Sequence, residues 1–328
     1  MKRHLLLITL LTTFVLFLSL FLGSYSINPG KLVSLLLNPD QDTQESIILW
    51  EIRMPRALLA LVAGAGLAIA SALFQNTFRN RLADPAIIGI SPAAAFGTLI
   101  ALGISSIADN QIILSLFALA VTWGTIAILF YLERKSRISN SLLIVGIAMN
   151  ALFSALIAVF AQMTSNVQAR SFVNWSMGSL ATVTWSDFYL VSGVIGFGIF
   201  SAFIITSKLD LLYLSDSEIL GINENPSRIR LMAALSGGAI IALSTSVLGV
   251  IPFIGLLVPN IVKAMGVYLH RKFLLMCAAL GALILLISDT LARTLIANLE
   301  LPVSFFLVVI GVSFLLSFVL RKQAINAA

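Results

Sequence analysis

Long apolar stretches separated by short polar segments run from one end of the chain to the other. A helix needs about 20 mostly apolar residues to cross a hydrocarbon core of roughly 30 Å, so each stretch predicts a transmembrane helix. The eighth stretch, which carries Pro252 and Pro259, is the least regular. The pattern predicts an all-α integral membrane protein with about ten transmembrane helices, namely Leu5–Gly23, Ala57–Thr77, Ala86–Ile104, Ile112–Tyr131, Leu142–Gln162, Phe188–Ser207, Leu231–Val250, Pro252–Tyr268, Phe273–Arg293 and Val303–Leu320.

The first stretch has two interpretations. Lys2, Arg3 and His4 precede it, as in the positively charged start of a secretory signal peptide. The stretch is longer than the usual core of a signal peptide and lacks a clean cleavage site of small residues. We therefore expect a retained span, with a cleaved signal peptide as the alternative.

Composition and charge support this assignment and predict an orientation. Of the 328 residues, 59% are hydrophobic and only 10% are charged, far fewer than in soluble domains. With both termini in the cytoplasm, the inner segments hold 15 lysines and arginines and the outer segments hold 5. This asymmetry follows the positive-inside rule, so the formal charge of +6 needs no nucleic-acid partner. We expect a single multi-pass domain over residues 1–328, surrounded by membrane lipid.

Two hydrophilic segments are long enough to hold structure of their own. Ser24–Arg56, on the outer side, is expected to contain a short helix near Pro29–Leu37. Lys208–Arg230, on the inner side, contains Ser215–Ile222, a short helix that its first residue caps and Gly221 stops.

An internal repeat is present at an offset of 174 residues. Residues 56–87 align without gaps to residues 230–261 with nine identities in 32 positions. Two apolar helices also share residues by chance, but aligned glycines and prolines such as Gly64 and Gly238 favour a true repeat. The second copy begins five predicted spans after the first, an odd number, so it would be inverted, a design that recurs in transporters.

The sequence holds little of the chemistry that enzymes use. It has no Gly-x-x-x-x-Gly-Lys-Ser/Thr loop, so the chain cannot hydrolyse ATP by a P-loop mechanism. One cysteine, Cys277, and two histidines, His4 and His270, leave no catalytic triad and no thiolate or histidine metal site. Asp289 is the one acid within a predicted span, which disfavours an ion-coupled secondary carrier but leaves it open. We expect that the chain is not an enzyme and holds no metal or cofactor.

Two polar breaks interrupt the apolar pattern. The first carries Asn80, Asp84 and Pro85, a combination of turn and cap residues that favours a specific hairpin. The second is rich in glycine and proline and comprises Gly249, Pro252, Gly255, Pro259 and Asn260. Non-helical backbone at membrane depth is tolerated only where it is buried in protein or lines a cavity. A wall of a transport pathway and a simple kink are equally open interpretations of the second break.

These segments, in this order, resemble the FecCD permease family, the membrane subunits of ABC importers for ferric siderophores, haem and cobalamin. The matching stretches spread from Ile52 to Pro302, and they read IRMPRALLALVAGAGLAIASALFQ, RNRLADPAIIGIS, WSMGSL, LGVIPFIGLLVPN, SDTLAR and ELP. The resemblance implies the type II ABC importer permease fold and a permease dimer, formed with a second copy or a paralogue. It also implies two copies of an ABC ATPase subunit, which bind ATP and Mg²⁺, and a substrate-binding protein, periplasmic or a lipoprotein. The expected location is a bacterial cytoplasmic (inner) membrane.

The resemblance also implies roles for particular residues. Arg53 and Arg56 in IRMPR and Arg293 in SDTLAR would dock carboxylates of the binding protein, and the predicted topology independently places all three outside. Anchoring of helix ends at the interface is the alternative for any one of them. Ser139, Asn140 and Ser141 resemble a cytoplasmic gate at the start of the fifth span, although small polar residues are ordinary at helix starts.

The inner loop over residues 208–230 resembles the cytoplasmic coupling segment of the family. The part expected to sit in a groove of the ATPase consists of Leu214, Ser215, Asp216, Ser217, Glu218, Ile219, Leu220, Gly221 and Ile222. A solvated loop is the alternative.

The chain departs from the family pattern at several positions. Arg81 replaces a usual proline and Asn260 a usual histidine, and Ser304 and Ser313 replace a glycine and a proline. These departures leave the fold prediction intact but weaken a fine substrate assignment. We expect an importer for an iron–siderophore complex, with haem or cobalamin as alternatives and an ion-coupled carrier as a less favoured one.

Overall fold

A computed structural model describes residues 2–23, 25, 27, 29–37, 43–104, 110–135, 141–163, 175–296 and 300–326. All regular secondary structure in these ranges is helical. A π-helical segment, Ile48–Arg53, joins α3 directly to α4. The helices are α1 (Lys2–Phe21), α2 (Pro29–Leu37), α3 (Gln44–Ile47), α4 (Met54–Thr77), α5 (Ile90–Leu102), α6 (Gln111–Lys135), α7 (Ser141–Met163), α8 (Trp185–Ile204), α9 (Thr206–Leu211), α10 (Asp216–Gly221), α11 (Pro226–Leu248), α12 (Ile254–Ala264), α13 (His270–Thr294) and α14 (Val303–Asn326).

The prediction of an all-α membrane protein is confirmed. In the described part of the chain, seven helices are long and apolar enough to cross a membrane, and each coincides with a predicted span. The third, eighth and tenth predicted spans coincide with shorter apolar helices, at α5, α12 and the first half of α14. The short helix predicted at Pro29–Leu37 is α2.

The helix at the eighth predicted span is shorter than the apolar pattern suggested. α12 has 11 residues, which at 1.5 Å per residue gives about 16 Å, roughly half of a hydrocarbon core. It begins after Phe253, whose φ of 66° lies in the left-handed region, and Gly266 (φ 78°) follows its end. The apolar residues on either side of α12 therefore belong to turns, which hydropathy alone does not distinguish from helix.

α4 lies at the centre of the bundle, where α13, α11 and α8 pack around it. Most of α4 is buried inside the protein, whereas most of α1 and α7 is exposed. Small residues allow this packing, because a Cβ on Gly64 would overlap the carbonyl oxygen of Gly281 on α13.

The two copies of the repeat make corresponding contacts. A Cβ on Gly64 would also lie 2.8 Å from Leu285 Cβ, so α4 meets positions 281 and 285 of α13. A Cβ on Gly238 would lie 2.5 Å from Ile126 Cδ1 and 3.4 Å from Thr122 Cγ2, two positions of α6 that are also four residues apart. α11 therefore packs on α6 as α4 packs on α13.

The two copies also run in opposite directions. Thr77, the last residue of α4, has its hydroxyl 3.5 Å from the carbonyl oxygen of Arg230 in the first turn of α11. Because the end of one copy lies beside the start of the other, the repeat is inverted, as its position in the sequence predicted.

Candidate functional site

The three predicted docking arginines meet at one end of the bundle, where α4 begins and α13 ends. Asp289 accepts hydrogen bonds from Arg56 Nε and Nη2 at 2.7–3.1 Å and has Arg293 Nε 3.8 Å away. Arg56 also forms an ion pair with Glu300, which follows α13. We call these five residues, Arg53 included, the outer cluster, after the side of the membrane that the charge pattern predicts for them.

Arg53 and Arg293 bind the C-terminal end of α1. Arg53 Nη1 donates to the carbonyl oxygen of Leu20 at 2.7 Å, and its Nη2 donates to that of Tyr25. Arg293 Nη1 donates to the carbonyl oxygen of Leu22 at 2.9 Å, and its Nη2 to that of Ser19. The last carbonyl groups of a helix lack partners within the helix and attract cations, so the two arginines fasten α1 to α4 and α13.

The outer cluster is more enclosed than a docking role suggests. The side chains of Arg56 and Asp289 are 7% and 1% exposed, whereas that of Glu300 is 38% exposed. An external carboxylate therefore meets arginines that already have partners within the chain. Glu300 is the member of the cluster that an incoming carboxylate could replace.

The predicted coupling helix is present as α10. Ser215 caps its start in a capping box with Glu218, whose Oε2 accepts from the Ser215 backbone N–H at 2.8 Å. The hydrogen bonds from Ser215 hold the pKa of the Glu218 carboxyl below its usual value. The helix ends at Gly221, as the sequence predicted, and Asn223, two residues later, has a left-handed φ of 60°.

α10 presents an apolar surface outward. Ile219 is fully buried, whereas Leu214, Leu220 and Ile222 are 40–61% exposed. Exposed apolar side chains on a polar loop are typical of a surface that a partner covers.

Asp216 ties α10 to both halves of the repeat. Its Oδ1 accepts from Arg79 Nη2 at 2.7 Å, and its Oδ2 accepts from Arg230 Nη2 at 2.6 Å. Arg230 also donates to Glu133 Oε1, at the end of α6, at 2.9 Å. We call Arg79, Glu133, Asp216 and Arg230 the inner cluster. Since Arg79 follows α4 and Arg230 lies one turn into α11, α10 contacts the residues after α4 in one copy and the start of α11 in the other.

The two polar breaks contact each other. The buried carboxylate of Asp84 accepts hydrogen bonds from the backbone N–H groups of Ala86, at 2.8 Å, and of Leu256 at the start of α12. Gln75 Nε2 donates to the carbonyl oxygen of Gly255 at 3.0 Å, and Asn260 Nδ2 donates to that of Arg81 at 3.1 Å. The breaks form one polar junction between α4, α5 and α12.

The remaining residues of the two breaks occupy turns or ends of helices. Asn80 Oδ1 accepts from the Leu82 backbone N–H at 2.8 Å, and Pro85 is buried in the same hairpin. Gly249 ends α11 with a φ of 73°, and any side chain there would overlap the backbone of Trp175. Pro252 precedes α12 and Pro259 lies inside it.

The predicted cytoplasmic gate comprises Ser139, Asn140 and Ser141. Ser139 and Asn140 lie outside the described residues, and Ser141 is the first residue of α7. The gate stays a prediction. Among the described residues, no three His, Cys, Asp or Glu side chains are close enough to hold a metal ion.

The sequence did not identify the acidic partners of the arginines. Asp289 and Glu300 hold Arg56, and Asp216 and Glu133 hold Arg230. A signal was present, because Arg56 and Arg230 are aligned in the repeat. Both arginines lie near the start of a helix and bind an acid near the end of the helix packed against it.

Comparisons with known proteins agree with this arrangement. The FecCD transport family model matches residues 10–321. The chain is 36% identical to the hemin transport system permease protein of Yersinia pestis, with 96% of each chain covered. It is 32% identical to the Fe(3+)-citrate import system permease protein of Bacillus subtilis, with 98% of each covered. Among solved structures it matches an inward-facing metal-chelate type ABC transporter with a TM-score of 0.86 and 27% identity, over 98% of this chain and 100% of that one.

The inverted helical repeat and the interrupted eighth span agree with the fold of an ABC importer permease. The chain belongs to the FecCD transport family. It is a multi-pass permease subunit of a type II importer, in the group that carries iron chelates, haem or cobalamin.

Proposed function

We propose that this chain is the permease of an importer for an iron–siderophore complex, driven by ATP that two copies of a partner ATPase hydrolyse. The observation that carries the proposal is the likeness, over nearly the whole length, to a permease named for ferric citrate, an iron chelate. The chain performs no covalent chemistry. ATP and Mg²⁺ bind to the ATPase. The permease changes between two conformations, and binding of nucleotide and of the binding protein shifts the equilibrium between them.

Haem is the second candidate, because the relative with 36% identity is named for hemin. Uptake of radioactive iron by cells with and without the gene separates the two. The iron would be supplied as several ferric siderophores, as haem and as the free ion. We expect loss of uptake confined to a ferric siderophore. Loss confined to haem would support the second candidate, and unchanged uptake of all forms would contradict both and favour cobalamin or an ion-coupled carrier.

The exposed apolar residues of α10 support its role in contacting the ATPase. Leu220 is 61% exposed, while Ile219 beside it anchors the helix to the bundle. A charge at position 220 should therefore impair assembly with the ATPase without unfolding the permease. Leu220→Asp should abolish uptake and co-purification of the ATPase, whereas Leu220→Met, which keeps an apolar side chain, should preserve both. Normal co-purification with Leu220→Asp would contradict the role.

Docking of the binding protein is proposed to occur at the outer cluster, by exchange of carboxylates. Glu300 is 38% exposed and pairs with the buried Arg56, so a carboxylate of the binding protein would take its place. Glu300→Gln should then strengthen binding of the binding protein to the reconstituted importer. Glu51→Gln removes an exposed acid nearby in the chain and is the matched control. Equal affinities for Glu300→Gln and the wild type would contradict the exchange.

The permease is proposed to function as a dimer, with a second copy or a paralogue, in a bacterial cytoplasmic membrane with both termini inside. The weakly buried helices α1 and α7 leave apolar surface for lipid and for a second permease. Chemical cross-linking of a tagged and an untagged copy in membranes would distinguish a homodimer from a heterodimer.

A further inference from the structure

A pocket of about 420 Å³ opens beside the coupling helix, on the face that the charge pattern predicts to be cytoplasmic. The end of α4, the loop that follows it, the residues before α10 and the end of α12 enclose it. Its polar lining is made of basic side chains, amides and hydroxyl groups, and its volume is within the range of small-molecule sites. The basic and amide residues of the lining are Gln75, Asn76, Arg79, Asn80, Arg81 and Lys263.

The charge of this cationic pocket is not balanced by the protein. None of the described lining residues is an acid. Arg79 is paired with Asp216, which lies outside the lining. Lys263 Nζ donates to a neutral group, Gln75 Oε1, at 2.9 Å, and Arg81 has no ion-pair partner among the residues that the structure describes. Of the three cations, Arg79 alone has a carboxylate partner among the described residues.

The backbone holds these cations in place. Arg79 has a φ of 48°, a left-handed conformation that is uncommon for residues other than glycine. The carbonyl oxygen of Arg81 accepts a hydrogen bond from Asn260 Nδ2 on α12. Lys263 is positioned by Gln75, which itself donates to the backbone of Gly255. The pocket is thus assembled from elements that also hold α4 to α12.

We propose that the cationic pocket binds an anion that carries phosphate groups with about two negative charges. Guanidinium groups match the geometry of phosphate oxygens, and the amide side chains supply neutral N–H donors. Three cations less one carboxylate leave an excess that suits a dianion better than a single carboxylate. Leu214 and Ser215 of the predicted coupling segment also line the pocket, but binding of the anion does not depend on which substrate the permease transports.

Two sources offer this chemistry, a lipid headgroup and a soluble phosphate. Tyr213 and Tyr268 line the pocket and are 59% and 56% exposed, as aromatic residues at a membrane interface often are. Basic pockets between transmembrane helices on the cytoplasmic side bind anionic lipid headgroups in other proteins. Cardiolipin and inorganic phosphate are therefore the two probes.

The test uses the full-length permease in nanodiscs of phosphatidylcholine. Native mass spectrometry counts the cardiolipin that the chain retains at increasing cardiolipin content, and equilibrium dialysis measures binding of radioactive inorganic phosphate. Arg81→Gln removes the unpaired cation of the pocket. Arg228→Gln removes an exposed cation in the first turn of α11 that does not line the pocket, and is the matched control. Lys263→Met is a second pocket variant.

One probe should bind saturably, and Arg81→Gln and Lys263→Met should each weaken its affinity about tenfold or more. This is the loss expected for one charge-assisted hydrogen-bond donor. Arg228→Gln should leave the affinity unchanged. The probe that binds then identifies the source. Absence of saturable binding of both probes would overturn the proposal. So would equal weakening by Arg81→Gln and Arg228→Gln, because that result indicates unspecific attraction to basic residues.

Discussion

The ion pair between Arg56 and Asp289 should be among the most sensitive points of the fold. The carboxylate of Asp289 is 1% exposed and accepts three hydrogen bonds from Arg56, with Arg293 nearby. Asp289→Asn keeps the volume of the side chain but removes its charge. Glu300 is then the remaining acidic residue of the cluster for the enclosed guanidinium groups of Arg56 and Arg293.

The magnitude follows from the enclosure of the pair. Removal of one partner from a buried ion pair costs about 3–5 kcal/mol, because the other charge stays buried without compensation. Glu300 still binds Arg56 and is partly exposed, so we expect the lower end of the range, about 3 kcal/mol. Glu300→Gln removes an exposed partner and should cost less than about 1 kcal/mol.

The free energy of unfolding can be measured by titrating the purified permease from a mild detergent into a denaturing one, with helix content as the signal. The double variant Arg56→Met with Asp289→Leu should recover part of the loss, because apolar residues can replace a complete buried pair at little cost. An Asp289→Asn variant as stable as Glu300→Gln would refute the reasoning, since the cost would then not depend on burial.

Two further predictions test the repeat and the inner cluster. Gly64→Ala should destabilise the permease by about 3 kcal/mol, the upper end for overpacking, because the added methyl group meets the backbone of Gly281. In Gly238→Ala the added methyl group meets the flexible end of the Ile126 side chain, so the cost should be about 1 kcal/mol. The same unfolding titration compares them, and equal costs would contradict the role of the backbone contact. Asp216→Asn should cost less than about 1 kcal/mol of stability, because Asp216 is 44% exposed, yet it should lower the substrate transported per ATP hydrolysed. Unchanged transport per ATP in proteoliposomes would show that the link from α10 to both halves is not used.

Hydropathy was sufficient to locate the membrane helices, because each span must bury its own backbone hydrogen bonds in lipid and therefore appears as a continuous apolar stretch. Hydropathy did not locate the ends of α12, because the apolar residues of a buried turn have the same hydropathy as those of a helix. The repeat was visible because aligned glycines and arginines make corresponding contacts in its two copies. The outer cluster was not visible, because Arg56 and Asp289 are 233 residues apart and no local pattern links them. The helix α10 could be predicted from local information, namely Ser215 at its start and Gly221 at its end, whereas its coupling role comes only from the family resemblance.

The crossed packing of the two halves has a consequence for biosynthesis. α4 of the first half packs on α13 of the second, and α11 of the second packs on α6 of the first. At roughly 5–20 residues per second, the ribosome completes Asp289 about 10–50 s after Arg56. During this interval an arginine and a row of small residues are in the membrane without their final neighbours. The first half therefore cannot reach its native packing until nearly the whole chain has been made. Premature termination before α13 yields a fragment in which α4 is exposed, and such a fragment is a natural substrate for membrane quality control.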